Sequence, residues 1–261
     1  MTPDVHDKMG TPDAAPLGHG AVYRELVPTG SLRAGVVVAP ALSVVFVVLD
    51  SETGHYRGTT VDMALALALH LGVPLEIVPF LNSGAATQAL EQGLIDVTFV
   101  PVDDERRRRI AFGPAYYILE STYLVSASSG ITSLAEVDRA NVRVVGISNT
   151  TTIRSATRTL TQTVPTAVES IANAVDLLVS GRADAFALSR DAFQTLLPQF
   201  PTARVLQGGF QSTGIAIAVG QNKPSALSFV SAFMDEAKTS GLVRRALDKA
   251  GFADEAVAPA S

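Results

Sequence analysis

The densest charge in the chain lies in Pro101 to Arg109, PVDDERRRR, where Asp103, Asp104 and Glu105 run into four arginines. Acids at the start of a short helix followed by bases read first as a solvated, salt-bridged turn whose separate ion pairs contribute little. One arginine at a strand end can do more, because a planar guanidinium fork holds a carboxylate through two parallel hydrogen bonds. Position alone does not select which one. A second run, Ser148-Asn149-Thr150-Thr151-Thr152, passes from a β-branched stretch directly into a helical pattern. Free amides and hydroxyls at a helix start suit a carboxylate or other anion. Ordinary capping by Asn149 or Thr150 explains the same residues without a ligand, and the two roles are compatible.

Composition removes other chemistries. Of 261 residues none is cysteine, which excludes disulfides, thiolate catalysis and cysteine metal sites. His6, His19, His55 and His70 show no ligand spacing, so neither a metal nor a cofactor is expected. A net charge of -5 lacks the basic excess that a phosphate backbone requires, which argues against nucleic acid as a partner. With 47% apolar and 17% charged residues the chain is rich enough in core material to exclude a disordered one. The most apolar stretch, Ala34 to Leu49, contains Pro40 and Ser43 and falls short of the roughly 20 residues that cross a bilayer. The amino terminus carries no apolar signal-like segment. Either a secretory signal has been removed or replaced, or the protein stays in the cytoplasm.

The elements that must position these runs come in two passes. Arg33 to Val38 reads as strand, Thr60 to Leu71 as helix, Leu75 to Pro79 as strand, Ala85 to Gln92 as helix and Ile95 to Val100 as strand. The same order returns at Val142 to Ile147, Thr152 to Thr163, Thr166 to Val168, Ser170 to Ser180 and Ala183 to Leu188. LEQGLIDVTF and LVSGRADAFA share Leu, Gly and Asp at identical spacing, with Gly93 and Gly181 placed where a helix end needs positive φ. Two helix-rich α/β lobes with mainly parallel sheets follow. Pro114 to Ser128 and Gly209 to Val219 read as strands crossing between them, able to bend as a hinge. The lobes are expected at 29–116 with 214–252, and at 117–213; residues 1–28 read as a flexible leader and 253–261 as a flexible tail. Ligands in such folds sit beyond the carboxyl ends of strands. The loops to inspect are therefore 39–58, 101–106, 148–152 and 189–191.

In order along the chain, LVPTGSLRAGVV, GTTVDMALALALHLGV, ALEQGLIDV, DDERRRRIAFGPAYY, VRVVGISNTTT, SGRADAF and TGIAIAV resemble the polar amino-acid type of periplasmic solute-binding protein that serves ABC importers. The resemblance runs from about Leu26 to Gly251. It implies a type 2 periplasmic binding protein fold of two lobes and two hinge crossings, a monomer that closes on a small carboxylate-bearing ligand, membrane subunits of an importer as partners, and a periplasmic location. By position, Arg106 matches the arginine that binds the ligand carboxylate, Thr151 and Thr152 the helix-start residues that share it, and Tyr56 an aromatic that stacks on the ligand. Asn149 belongs to the same helix-start loop.

Two departures qualify the match. The acid that pairs with an α-ammonium group in the family falls here on Ser189, and a serine leaves a buried ammonium unpaired. The Ser/Thr-rich loop before the arginine is two residues shorter and reads VPVDDE. Asp103 is then a candidate source of negative charge; otherwise the ligand is an organic acid without an amine. Val44, Val45 and Phe46 stand where relatives often place polar groups and an aromatic, which suits a less polar ligand. A rival reading is an enzyme, since the same fold family includes dehydratases of the cyclohexadienyl type. Asp103, Asp104, Glu105 and Asp191 fall near the expected cleft, yet no acid–base pairing is visible. A sensor module is weaker still, because such modules continue into a membrane span and a signalling domain.

Overall fold

Residues 19–259 are described by a computed structural model. In chain order its elements are α1 (His19–Leu26), β1 (Leu32–Val38), β2 (Phe46–Leu49), β3 (Tyr56–Arg57), α2 (Thr59–Leu71), β4 (Leu75–Phe80), α3 (Ser83–Glu91), β5 (Val97–Pro101) and α4 (Asp104–Arg107). The long strand β6 (Ile110–Val125) leads to α5 (Leu134–Val137), β7 (Val144–Ile147), α6 (Thr151–Thr159), β8 (Thr166–Val168), α7 (Ile171–Val179), β9 (Ala185–Ser189) and α8 (Arg190–Leu196). A short β10 (Arg204–Val205) precedes β11 (Gln211–Gly220), and α9 (Pro224–Thr239) and α10 (Leu242–Lys249) follow.

The strands bond in the order β3-β2-β1-β5-β11-β6-β9-β7-β8, with β4 also on β1 and β10 on β6. The result is a two-lobed α/β fold. β1 runs parallel to β4 and β5, and β7 parallel to β8 and β9, as two βαβαβ windings require. Antiparallel β6 and β11 connect them: β6 pairs β11 from Ile110 to Ser121, then β9 from Ser121 to Val125. Register shifts near Ala216 bend this ribbon.

Local chemistry explains why the two passes look alike. Asn82 caps α3 by accepting the Ala85 amide at 2.8 Å, and Ser170 caps α7 by accepting that of Asn173 at 3.2 Å. At the other end of these helices Gly93 and Gly181 take φ of 71° and 67°, a left-handed turn that glycine enters freely. The next amides, of Leu94 and Arg182, then reach back to the carbonyls of Ala89 and Leu177 at 2.9 Å each. One core gathers Leu32, Phe99, Tyr116, Ile217, Val230 and Met234 under the first lobe. In the second, the sheet buries Ile147, Phe186 and Phe193 on one face and Tyr123, Val144 and Ala156 on the other.

Two terminal expectations need correction. The leader expected over 1–28 is helical at α1: Leu26 is fully buried, the Glu25 carboxylate accepts the Ala226 amide at the start of α9 at 2.8 Å, and the Tyr23 hydroxyl bonds the Leu71 carbonyl. So short a helix is marginal alone, and packing on α9 supplies what its composition conceals. The tail expected to be free is also docked. Ala258 is buried and its amide donates to the Tyr116 carbonyl at 2.8 Å, Val257 bridges Tyr117, and the Lys238 ammonium donates to the Pro259 carbonyl at 3.1 Å. His6 and most of the expected leader lie outside the described residues.

Candidate functional site

The carboxyl ends of strands from both lobes enclose a small cavity. Val37, Val45 and Phe46 line it from β1 and the segment into β2, Leu81, Asn82 and Ser83 from the β4–α3 turn, and Pro101 and Leu119 from β5 and β6. The second lobe contributes Ile147, Thr150, Thr151 and Thr152 at the β7–α6 junction, Ile171 at the start of α7, and Leu188 and Ser189 at the end of β9. No residue of this lining carries an ionisable side chain. The cavity measures about 30 Å³, far below the several hundred that a metabolite site usually spans, so a metabolite must widen it.

Arg106 is buried directly behind this wall. Its guanidinium donates to the Pro101 carbonyl at 2.9 Å, to the Ser83 hydroxyl at 2.8 Å and, across the cleft, to the Asn149 carbonyl at 3.2 Å. Burial, with the Arg154 cation beside it, brings its pKa down to about 9, which still leaves it charged at neutral pH. The shortened 101–106 loop accounts for the depth. With α4 starting directly after β5, the arginine folds back onto the end of its own strand. Ser83, having accepted from Arg106, keeps its own proton to donate towards the cavity.

Facing Ser83, α6 presents its first turn. The Thr150 hydroxyl caps the helix by accepting the Ile153 amide at 3.2 Å, which leaves the Thr151 and Thr152 amides among the donors that an α-helix cannot pair internally. Thr152 exchanges a hydroxyl hydrogen bond with Ser121 at 3.1 Å. The hydroxyls of Thr151 and Ser189 are buried without a protein partner. Asn149, with φ of 58°, occupies the left-handed region that turns its carbonyl to Arg106.

Beside the cavity the 39–46 segment is seated on the second lobe. Ala39 joins the cluster around Phe186 and Phe193, and Phe46 packs on it. The Val44 amide donates to Asp191 at 2.8 Å while its carbonyl accepts the Tyr116 hydroxyl at 3.0 Å. Thr195 donates to the Leu42 carbonyl at 2.5 Å. Asp191 is buried and its second oxygen has no partner; burial raises its pKa above the ordinary carboxylate range.

Of the residues singled out by sequence, Phe46, Thr151, Thr152 and Ser189 meet around the cavity, with Arg106 and Asn149 behind its polar side. Tyr56 does not. It sits half-buried on the short β2–β3 hairpin opposite Leu49, and Phe46 is the aromatic that reaches the cavity. Asp103 is also elsewhere. It caps α4 through the Arg106 amide at 2.8 Å and pairs with Arg154, and it lines an outer groove of about 620 Å³. Although burial opposes it, the Arg154 hydrogen bond holds the Asp103 carboxyl below its ordinary pKa. That charge is already neutralised and does not supply a partner for an amine. Missed in the sequence were Leu81, Asn82, Ser83 and Ile171. They lie in the turns after β4 and β8, which the strand-end rule covers equally.

This architecture, two windings facing their strand ends across a pair of antiparallel crossings, defines a periplasmic-binding-protein-like fold. The family model of bacterial extracellular solute-binding proteins, family 3, matches residues 37–252, and the chain belongs to that family. Among solved structures it resembles the ancestral amino acid-binding protein AncCDT-1, a precursor of cyclohexadienyl dehydratase, at 25% identity and a TM-score of 0.75, over 87% of this chain and 97% of that one. A solute receptor for L-cysteine of Neisseria gonorrhoeae aligns with a TM-score of 0.79 at 20% identity, covering 88% and 93% of the two chains, a likeness of fold. A membrane-bound lytic murein transglycosylase F of Alteromonas mediterranea is 32% identical over 95 residues, 35% of this chain. The match spans only 20% of that protein's length. No helix among the described residues is long and apolar enough to cross a membrane.

Proposed function

We propose that the chain is the extracytoplasmic binding component of an ABC importer and holds a small carboxylic acid with an apolar body and no ammonium group, without transforming it. The observation that carries this reading is the composition of the cavity wall: aliphatic side chains and one phenyl ring on most sides, and hydroxyls backed by a buried guanidinium on one. The ligand carboxylate is held by the Ser83 hydroxyl and the free amides of Thr151 and Thr152, with the charge of Arg106 behind them. An ammonium group finds no carboxylate in the wall, since Ser189 stands at its place and Asp103 is paired with Arg154. The same wall offers no carboxyl or imidazole for proton transfer, which favours binding over a dehydratase reaction.

Mass spectrometry of material released from natively purified protein identifies the bound compound. Calorimetry then compares branched 2-oxo and 2-hydroxy acids with the matching α-amino acids. The amine-free acids bind, and the amino acids bind more weakly by about tenfold or more. Tighter binding of the amino acids, or binding of a compound without a carboxylate, overturns the assignment. Loss of prephenate absorbance on incubation reinstates the enzyme.

A further inference from the structure

Beyond the cavity, the two lobes touch along a rim that includes Arg154 and Gly84, which the binding reading does not use. Arg154, one turn into α6, pairs with Asp103 and lies 3.0 Å from Glu105, both on the first-lobe segment that carries Arg106. Its side chain is 23% exposed, so water screens this contact only partly. Next to it the lobes meet without space. A Cβ built on Gly84, in the first turn of α3, would stand 2.3 Å from the Asn149 Cβ and 2.6 Å from its carbonyl oxygen. The obstacle includes backbone, which a rotamer change cannot clear. The Asn82 side-chain Nδ2 donates to the Glu169 carbonyl at 3.1 Å further along the same edge.

We infer that this rim is a latch that sets the open-to-closed equilibrium of the cleft: Gly84 permits the lobes to touch, and Arg154, gripped by Asp103 and Glu105, draws them together. The inference rests on the reading of the fold as a closing binder, and it adds the residues that determine how readily it closes. Because α6 carries both the latch cation and the amides lining the cavity, opening the rim moves the two as one body. Arg154 and Gly84 are positioning residues, with no part in touching the ligand.

The absence of cysteine allows two labels to be placed cleanly. Spin labels on Gln92→Cys and Val179→Cys, exposed positions at corresponding helix ends of the two lobes, report the interlobe distance by pulsed electron resonance. In low salt the labelled protein shows a dominant short distance. Arg154→Ala shifts the open-to-closed ratio by about tenfold, within the usual range of coupling between sites, and Arg154→Lys recovers most of the short population. One molar salt lengthens the distance in the parent and leaves Arg154→Ala unmoved. Gly84→Ala lengthens it at any salt, while its melting temperature holds because alanine suits a helix better than glycine. Distance distributions that match the parent in both Arg154→Ala and Gly84→Ala overturn the latch, whether or not their melting temperatures fall. The readout uses no ligand, so its failure is separable from a failure of the ligand assignment, which calorimetry tests by itself.

Discussion

Asp96 receives three hydrogen bonds from Arg33: the backbone amide at 3.0 Å, Nε at 2.9 Å and Nη2 at 2.7 Å. In the second winding Arg143 grips Asp184 with the same three donors at 2.9, 2.9 and 2.6 Å. The clasp ties the first strand of each unit to the third. The two copies differ in depth, since the Asp96 side chain is 0% exposed and that of Asp184 is 17%. Arg33→Met strands a buried carboxylate and is expected to cost about 3 kcal/mol or more. Arg143→Met, at the more exposed pair, is expected to cost about 1 kcal/mol or less. Urea unfolding of the two variants measures the difference, and equal losses contradict it.

Arg106 bridges three acceptors that a single ammonium cannot reach together. Arg106→Lys keeps the charge and loses the fork, so affinity for the carboxylic acid found by mass spectrometry falls by about tenfold, the loss of roughly one charge-assisted hydrogen bond. Arg106→Met removes the charge as well and lowers it further. Unchanged affinity in both variants, measured by calorimetry, removes Arg106 from the site.

Ser189 sets the missing charge. Ser189→Asp places a carboxylate in the cavity wall, and binding moves from amine-free acids towards α-amino acids of the same carbon skeleton. Calorimetry with the matched pairs reads the ratio. A variant that keeps the original order shows that Ser189 does not face the amine position.

Asp191 gives the fold a pH slope. A buried carboxyl with a raised folded pKa lends its full stability below the ordinary unfolded value of about 3.9, and that stability is lost as pH rises through the folded value. The depressed carboxyls act in the opposite sense. Glu136, brought to about 2 by the amide and hydroxyl of Thr132, contributes fully above the ordinary range and loses this only in strong acid. From about pH 4 upwards, until the pH has passed the folded value, the parent is therefore expected to melt at progressively lower temperature, with a flatter profile in Asp191→Asn. Parallel profiles from scanning calorimetry rule out Asp191 as the source.

Much of the architecture is legible because it is written in local signals. The helix-Gly-strand junctions at Gly93 and Gly181 and the strand-like run after Pro114 need no knowledge of distant contacts. The site is legible only in part. The arginine cluster and the Ser148 to Thr152 run stand out by residue type, though only the family resemblance selects Arg106 within the cluster, whereas Ser83 and Ile171 become neighbours only when the two edges face each other. Arg154 looks like one more helix-surface arginine until α4 lies opposite it. Tyr56 keeps its place in the motif, yet it pairs with Leu49 on the β2–β3 hairpin and is not part of the cavity wall.

The position of β11 has a bearing on how the protein is made. The strands of the second lobe, the far half of β6 with β7, β8, β9 and the short β10, have all been synthesised by Val205. The first lobe waits longer, because β11 fits between β5 and β6 and only then covers their bonding edges. Until Gly220 is synthesised those edges stand bare, ready to pair with the wrong chain. The lobe begun first at the amino terminus is thus the last to be finished.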